Sequence, residues 1–148
     1  MKTRPWTLLL LAAYLLPAQD LPISNQEVIP TYFEPMDYPL AARFTHTQGV
    51  VVVRVRLNGE GAPVSAEELY GTKALATECV SNAKKWRFRA NGSSGSAIIV
   101  YEFRIEGLCH SPCPSQFLFK PPNLAIITIG DAVVETEAGR GSIPAGRQ

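Results

Sequence analysis

Two cysteines and a histidine stand close together in the segment Cys109-His110-Ser111-Pro112-Cys113, the densest set of reactive side chains in this sequence. Two thiols and an imidazole could supply part of a site for a soft metal ion. The segment has neither the Cys-x-x-Cys-His order of haem attachment nor a fourth ligand nearby. The sequence therefore predicts no metal site. A disulfide between Cys109 and Cys113 is the alternative use of these thiols, although so short a loop requires a sharp turn of the backbone.

The sequence contains few other residues that could act in catalysis. The chain contains two histidines, His46 and His110, and three aspartates. It lacks a Gly-x-Ser-x-Gly motif, a His-Glu-x-x-His motif and a phosphate-binding glycine loop. We therefore expect a protein that is not an enzyme and that needs no cofactor.

The segment Lys84-Lys85-Trp86-Arg87-Phe88 combines cations with aromatic rings, which could bind anions or bases. Trp86 is, however, in register with the apolar stripe of the preceding predicted helix, so a structural role is favoured. Loss of Lys2 and Arg4 with a signal peptide would leave 12 of the 14 basic residues against 13 acidic ones. The mature chain then carries no basic excess, and nucleic acid is not an expected partner.

The N-terminus has the features of a secretory signal peptide. Lys2 and Arg4 precede an apolar run over residues 8–16, and small residues at its end allow cleavage after Ala18. A membrane-spanning helix needs roughly 20 apolar residues, about twice this run, so an uncleaved inner-membrane anchor is the less favoured alternative. The sequence predicts a periplasmic or exported protein.

A strand hairpin is predicted next. Residues 50–57 are rich in valine and alternate in the manner of a strand. Asn58-Gly59-Glu60-Gly61 supplies the positive backbone dihedrals of a hairpin loop. Pro63, near the start of the second strand, suits an edge strand because proline cannot donate a hydrogen bond to a neighbouring strand.

A helix and a third strand follow the hairpin. The apolar residues after Thr72 repeat at helical spacing, and Cys79 on that stripe is interpreted as a buried core residue. Residues 97–106 return to the alternation of a strand. Large apolar side chains from these elements are predicted to form the core: Val53, Val55, Leu75, Val80, Trp86, Phe88, Tyr101 and Phe103.

These elements predict a small α+β domain over residues 34–107. Its antiparallel sheet would have three strands in ββαβ order, after a short N-terminal helical turn, with one main helix packed on one face. A signal peptide (1–18) and a flexible linker (19–33) would precede the domain. A connector containing Cys and Pro with an extra strand (108–130), and then a disordered tail (131–148), would follow it.

The features of residues 38–105 resemble, in their order, the C-terminal domain of the TonB family. Tyr38-Pro39, the strand beginning Gly49-Val50-Val51-Val52-Val53, the Asn-Gly hairpin and Lys85-Trp86-Arg87-Phe88 occur in family order at family-like spacing. The resemblance implies a TonB-like fold and a binding module. Such domains lie in the periplasm of Gram-negative bacteria and bind a short peptide of an outer-membrane receptor during transport across the outer membrane.

The binding mode that the resemblance implies is β-augmentation, in which the peptide adds as a strand beside the last strand of the sheet. The residues that the resemblance selects for partner binding are Tyr38, Pro39, Ile98, Val100, Glu102 and Arg104. The implied partner is a peptide of an outer-membrane TonB-dependent receptor. An inner-membrane ExbB/ExbD-type motor is implied only if the N-terminus remains as an anchor.

Two questions stay open at this point. The apolar, β-branched run at residues 124–129 must pack somewhere: either it docks on the edge of the third strand and blocks the peptide site, or it packs elsewhere on the domain. The alternative function is an exported structural or thiol- and metal-binding protein that reuses the fold without energy transduction.

Overall fold

The structure is a computed structural model that describes residues 28–89 and 95–133. The predicted signal peptide lies outside these residues, as do most of the predicted linker and most of the predicted disordered tail. The strands and helices in the described part of the chain are β1 (Pro30–Tyr32), α1 (Leu40–Phe44), β2 (Gly49–Leu57), β3 (Pro63–Tyr70), α2 (Lys73–Ala83), β4 (Arg87–Phe88), β5 (Gly95–Cys109), β6 (Gln116–Lys120) and β7 (Leu124–Ala132).

Five of these strands form one mixed sheet in the order β3-β2-β5-β7-β6. Neighbouring strands are antiparallel except for β5 and β7, which are parallel. β1 and β4 form a separate two-stranded antiparallel sheet. The prediction of a small three-stranded antiparallel sheet with one main helix is therefore wrong, because the protein is mainly sheet and β6 and β7 extend the sheet beyond β5.

The error in the fold prediction comes from the segments placed outside the domain. Residues 28–33, predicted as linker, include the buried Val28 and strand β1. β6 and β7 lie in the segment predicted as a connector with one extra strand, and β7 continues to Ala132, into the predicted disordered tail. They contribute Phe117, Phe119, Ala125 and Ile127 to the core cluster or to its margin. The run at residues 124–129 indicated a strand that packs on the domain without placing it, whereas the short apolar run of β6 gave no such sign.

The helix α2 packs on one face of this sheet. Thr72 precedes it in an extended conformation, and the helix ends at Ala83. Leu75 and Cys79 are fully buried in the same cluster as the inward-facing valines of β2. Val80, one of the predicted core residues, is only partly buried at the margin of this cluster.

Trp86 follows the end of α2 and is fully buried at the centre of an aromatic group. Its ring centroid lies 5.4 Å from that of Phe119, 6.0 Å from that of Phe33 and 6.2 Å from that of Tyr101. Burial of one large apolar side chain contributes roughly 2 to 3 kcal/mol. Trp86 thereby ties the N-terminal segment, β5 and β6 into one core.

Candidate functional site

The edge of β5 that the family resemblance selected for peptide binding is already paired. β7 lies beside it in parallel, with Val100 opposite Leu124, Glu102 opposite Ile126 and Arg104 opposite Thr128. On its other side β5 pairs with β2. Of the two placements left open for the run at residues 124–129, the structure has the one on the edge of the third strand. The edge at Val100, Glu102 and Arg104 is therefore occupied, as the blocking alternative expected.

β7 is a structural strand whose removal would expose much of the core. Ala125, Ile127 and Ile129 are almost fully buried on its inner face, and Ile126 is buried on its outer face. Burial of each isoleucine contributes about 1.5 to 3 kcal/mol, so the three together contribute roughly 5 to 9 kcal/mol. A whole domain is typically stable by only about 5 to 15 kcal/mol. A peptide that displaced β7 would have to replace a large part of the folding free energy.

Tyr38 and Pro39, the other predicted binding residues, are both buried. The Tyr38 hydroxyl donates a hydrogen bond of 2.7 Å to the carbonyl oxygen of Thr47, and its backbone N–H donates one of 3.0 Å to Ser115 Oγ. Its ring meets that of Phe103 edge-on, and burial raises the pKa of its phenol. These contacts hold the segment before α1 against the sheet, so Tyr38 has a structural role.

A polar cleft of about 510 Å³ lies between the Tyr38 segment and α2. Its charged lining residues are Asp37, Arg43, Glu78 and Lys85. Arg43 already donates from Nε to the Tyr38 carbonyl at 3.0 Å and from Nη2 to Ser115 Oγ at 2.6 Å. Because two carboxylates accompany two cations, the cleft has no charge of one sign with which to select a ligand.

β3 is an edge of the five-stranded sheet. It pairs with β2 on one side, and no described strand pairs with its other side. An edge strand presents unpaired N–H and C=O groups, which can pair with another chain. Val64, Leu69 and Tyr70 on this strand are also exposed, at 65%, 44% and 67% of their surface. β6, the opposite edge, is five residues long.

A groove runs between β3 and α2. It has a volume of about 510 Å³, and its lining residues are Glu68, Gly71, Lys73, Ala76, Thr77 and Val80. The small side chains of Ala76 and Val80 give it an apolar wall, with Glu68 and Lys73 as charged groups on the same lining. An extended peptide paired with β3 could place alternate side chains in this groove.

Gly71 holds β3 close to the core at one end of the groove. Its φ is +140°, and a Cβ at this position would lie 2.8 Å from Val51 Cγ2. Any larger residue would therefore clash with Val51 of β2. Pro63 indicated from the sequence that β3 is an edge strand, but the groove was missed because it depends on the distance between two elements, for which the sequence has no local signal.

The thiols do not form a reactive centre in the described residues. Cys109 and Cys113 are joined by a disulfide with a Cα–Cα distance of 5.7 Å. Cys79 is free and buried, and burial raises the pKa of its thiol. The described residues contain no group of three or more His, Cys, Asp and Glu side chains that could hold a metal ion. His46 Nε2 lies 3.1 Å from Asp131 Oδ1 in an exposed pair.

Among residues 28–89 and 95–133, no helix has the length and apolar character needed to cross a membrane. No protein-family model and no curated protein matches the chain.

Proposed function

We propose that this protein is a non-catalytic binding module that takes up an extended segment of a partner protein by strand addition to β3. The observation that carries the proposal is the groove along α2 beside an edge strand of eight residues. Backbone hydrogen bonds to β3 would provide most of the affinity. Side chains of the partner that enter the groove would provide selectivity.

The partner segment should be extended, with apolar side chains at alternate positions. Ala76 and Val80 leave room for small or medium apolar side chains at every second position of the peptide. Glu68 and Lys73 lie on the lining of the same groove and could pair with opposite charges on the peptide. Pairing along part of β3 would give micromolar binding, as is usual for short peptides that lose their own conformational freedom.

Export and a role in transport across the outer membrane belong to the same proposal. The signal-like N-terminus and the features shared with TonB C-terminal domains support it. The Cys109–Cys113 disulfide also supports export, because disulfides persist in oxidising compartments such as the periplasm. The binding edge differs from the one that the resemblance implies, because β7 occupies the edge of β5.

An NMR titration tests the proposal. The purified protein would be labelled with ¹⁵N and titrated with short peptides from the N-terminal segments of outer-membrane receptors. We expect micromolar binding, with shifted amides in β3 and at Ala76 and Val80. Shifts confined to another surface, or none with the whole peptide set, would contradict the β3 site.

Two proline variants in β3 provide a matched control. N–H groups of successive residues in a strand point to opposite sides, so of Glu67 and Glu68 one donates towards β2 and the other away from it. Proline at the outward position should leave the free energy of unfolding nearly unchanged but weaken peptide binding more than about tenfold. Proline at the inward position should destabilise the domain. Unchanged binding by both variants would place the peptide elsewhere.

An exported structural protein is the second candidate function, and the closed edge of β5 together with the disulfide favours it. In that case the stability of the fold should depend on the Cys109–Cys113 bridge, and no peptide should bind. The reduction experiment in the Discussion separates the two candidates.

A further inference from the structure

The two faces of the five-stranded sheet differ in their coverage. On one face, Leu75 and Cys79 of α2 join Val51 and Val53 of β2 in the core cluster. Ala42 of α1 belongs to the same cluster. Both described helices therefore lie on this covered face.

The opposite face carries a band of apolar side chains that spans four strands. Val52 is aligned with Tyr70 on one side and with Val100 on the other, and Val100 is aligned with Leu124. Val50 and Ile126 lie in the next row, on either side of Glu102. Ile126 is only 5% exposed. We call the other five apolar residues the open band: Val50, Val52, Tyr70, Val100 and Leu124.

The open band is separate from the core. None of its five residues belongs to the core cluster or to the partly buried residues packed against it. Tyr70 is 67% exposed and Val50 is 38% exposed, whereas Val52, Val100 and Leu124 are half-buried. A contiguous apolar surface of this kind on a folded protein usually marks an interaction site.

Charged residues border the open band with opposite net sign at its two ends. Arg54 and Arg56 lie towards the end of β2, where Glu67 is 3.5 Å from Arg54. Glu102 and Glu106 lie towards the opposite end, because β5 runs antiparallel to β2, and Arg104 pairs with both of them. The end with Arg54, Arg56 and Glu67 has a net charge of +1. The end with Glu102, Arg104 and Glu106 has a net charge of −1.

We infer that a second copy of this chain packs on the open band, face to face, with its strands reversed. A two-fold axis makes one surface patch its own partner. Reversal of the strands would place Arg54 and Arg56 of each copy over Glu102 and Glu106 of the other. The apolar residues of both bands would then interdigitate between two sheets about 10 Å apart, as in a β-sandwich.

This dimer does not rest on the proposed peptide site. The groove between β3 and α2 lies on the covered face, so a dimer would carry two such grooves on its outer sides. Loss of dimerisation and loss of peptide binding can therefore be measured separately.

Sedimentation velocity over a range of protein concentrations tests the inference. We expect the purified protein to sediment as a dimer at high concentration and to dissociate on dilution. Val52→Lys and Val100→Lys should each raise the dissociation constant more than about tenfold, because a lysine would be buried without a partner. Phe44→Lys is the matched control, since Phe44 is 77% exposed on α1 and lies away from the band; it should leave dimerisation unchanged.

A charge exchange tests the orientation of the two copies and does not depend on the core. Arg54→Glu should weaken the dimer, and Arg54→Glu combined with Glu102→Arg should restore it, with a smaller difference at high salt. Circular dichroism would confirm that each variant is folded. A protein that is monomeric at every concentration would overturn the inference. A dimer that both lysine variants leave intact, or a charge exchange without rescue, would also overturn it.

Discussion

The indole Nε1–H of Trp86 donates a hydrogen bond of 2.9 Å to the side-chain oxygen of Asn82 in the interior of the protein. The hydroxyl of Tyr101 donates to the same oxygen at 2.9 Å. The side-chain nitrogen of Asn82 in turn donates to the carbonyl oxygen of Glu34 at 2.9 Å. Asn82 is thus a buried polar residue whose hydrogen bonds join α2 to β5, to Trp86 and to the N-terminal segment.

Replacement of this residue should be costly. Asn82→Ala would leave the Trp86 and Tyr101 donors buried without an acceptor, and we expect a loss of about 3 kcal/mol in the free energy of unfolding. Urea denaturation would measure it. Ser81→Ala, at the exposed neighbouring position on α2, is the control and should change stability by less than about 0.5 kcal/mol. Equal effects of the two variants would contradict the role given to Asn82.

Two glycines with similar φ angles provide a second test. Gly71 has φ +140° and a Cβ there would lie 2.8 Å from Val51 Cγ2, whereas Gly49 has φ +137° and open space around the same position. Both alanine variants carry the strain of a positive φ, so their difference isolates the steric contact. We expect Gly71→Ala to lower the free energy of unfolding by about 1 to 3 kcal/mol more than Gly49→Ala. Equal losses would show that β3 can move away from β2 without cost.

Truncation tests whether β7 is structural. A chain that ends at Ser115 lacks β6 and β7 and would expose the core residues of β5, so we expect it to be unfolded by circular dichroism. A milder variant, Ile127→Ala, should cost about 2 to 5 kcal/mol because it leaves a cavity. If the truncated protein is folded and its β5 amides exchange rapidly, β7 is not required for folding. The edge of β5 would then again be a candidate peptide site.

Reduction of the disulfide should have a moderate effect. Cys109 and Cys113 are only four positions apart, so the bridge restricts the unfolded chain little and contributes about 2 kcal/mol by loop entropy. We expect the double variant Cys109→Ser, Cys113→Ser to remain folded at 25 °C with reduced stability, as followed by thermal denaturation. Complete unfolding of the variant, without peptide binding by the oxidised protein, would favour the structural candidate over the binding module.

Alkaline pH should destabilise the protein. Burial raises the pKa of the Cys79 thiol above its ordinary value of 9.0 and that of the Tyr101 phenol above 10.0. Each group stays protonated in the folded state while the unfolded chain ionises, so stability is complete below about pH 9 and falls above it. The fall is at most about 1.4 kcal/mol per pH unit for each group.

A cysteine variant separates the two contributions. Urea titrations at several pH values between about 8 and 10 would measure the dependence of stability on pH. Cys79→Ala removes the thiol, so its stability should fall less steeply between about pH 9 and 10 than that of the wild-type protein. An unchanged slope would show that the Cys79 thiol ionises equally readily in the folded and unfolded chains.

Local sequence patterns were enough to predict four of the strands and helices. Alternating valines identified β2, Asn58-Gly59 the hairpin to β3, the stripe through Leu75 and Cys79 the helix α2, and the alternation of residues 97–106 most of β5. These signals arise because each element buries one face, so that apolar residues repeat along the chain with the period of a strand or a helix. Most of the predicted core residues were recognised for the same reason, while Val80 at the margin of the stripe was not distinguished from them.

Only the folded structure determines where β7 lies in the sheet. The run at residues 124–129 favours a β-strand, but this preference does not specify which strand it pairs with. The burial of Ala125, Ile127 and Ile129 in the core places it against β5. That choice closed the edge predicted for binding and left β3, its groove and the open band exposed. The position of β7 depends on packing between residues that are distant in the chain, and for this reason the local sequence pattern left its two placements open.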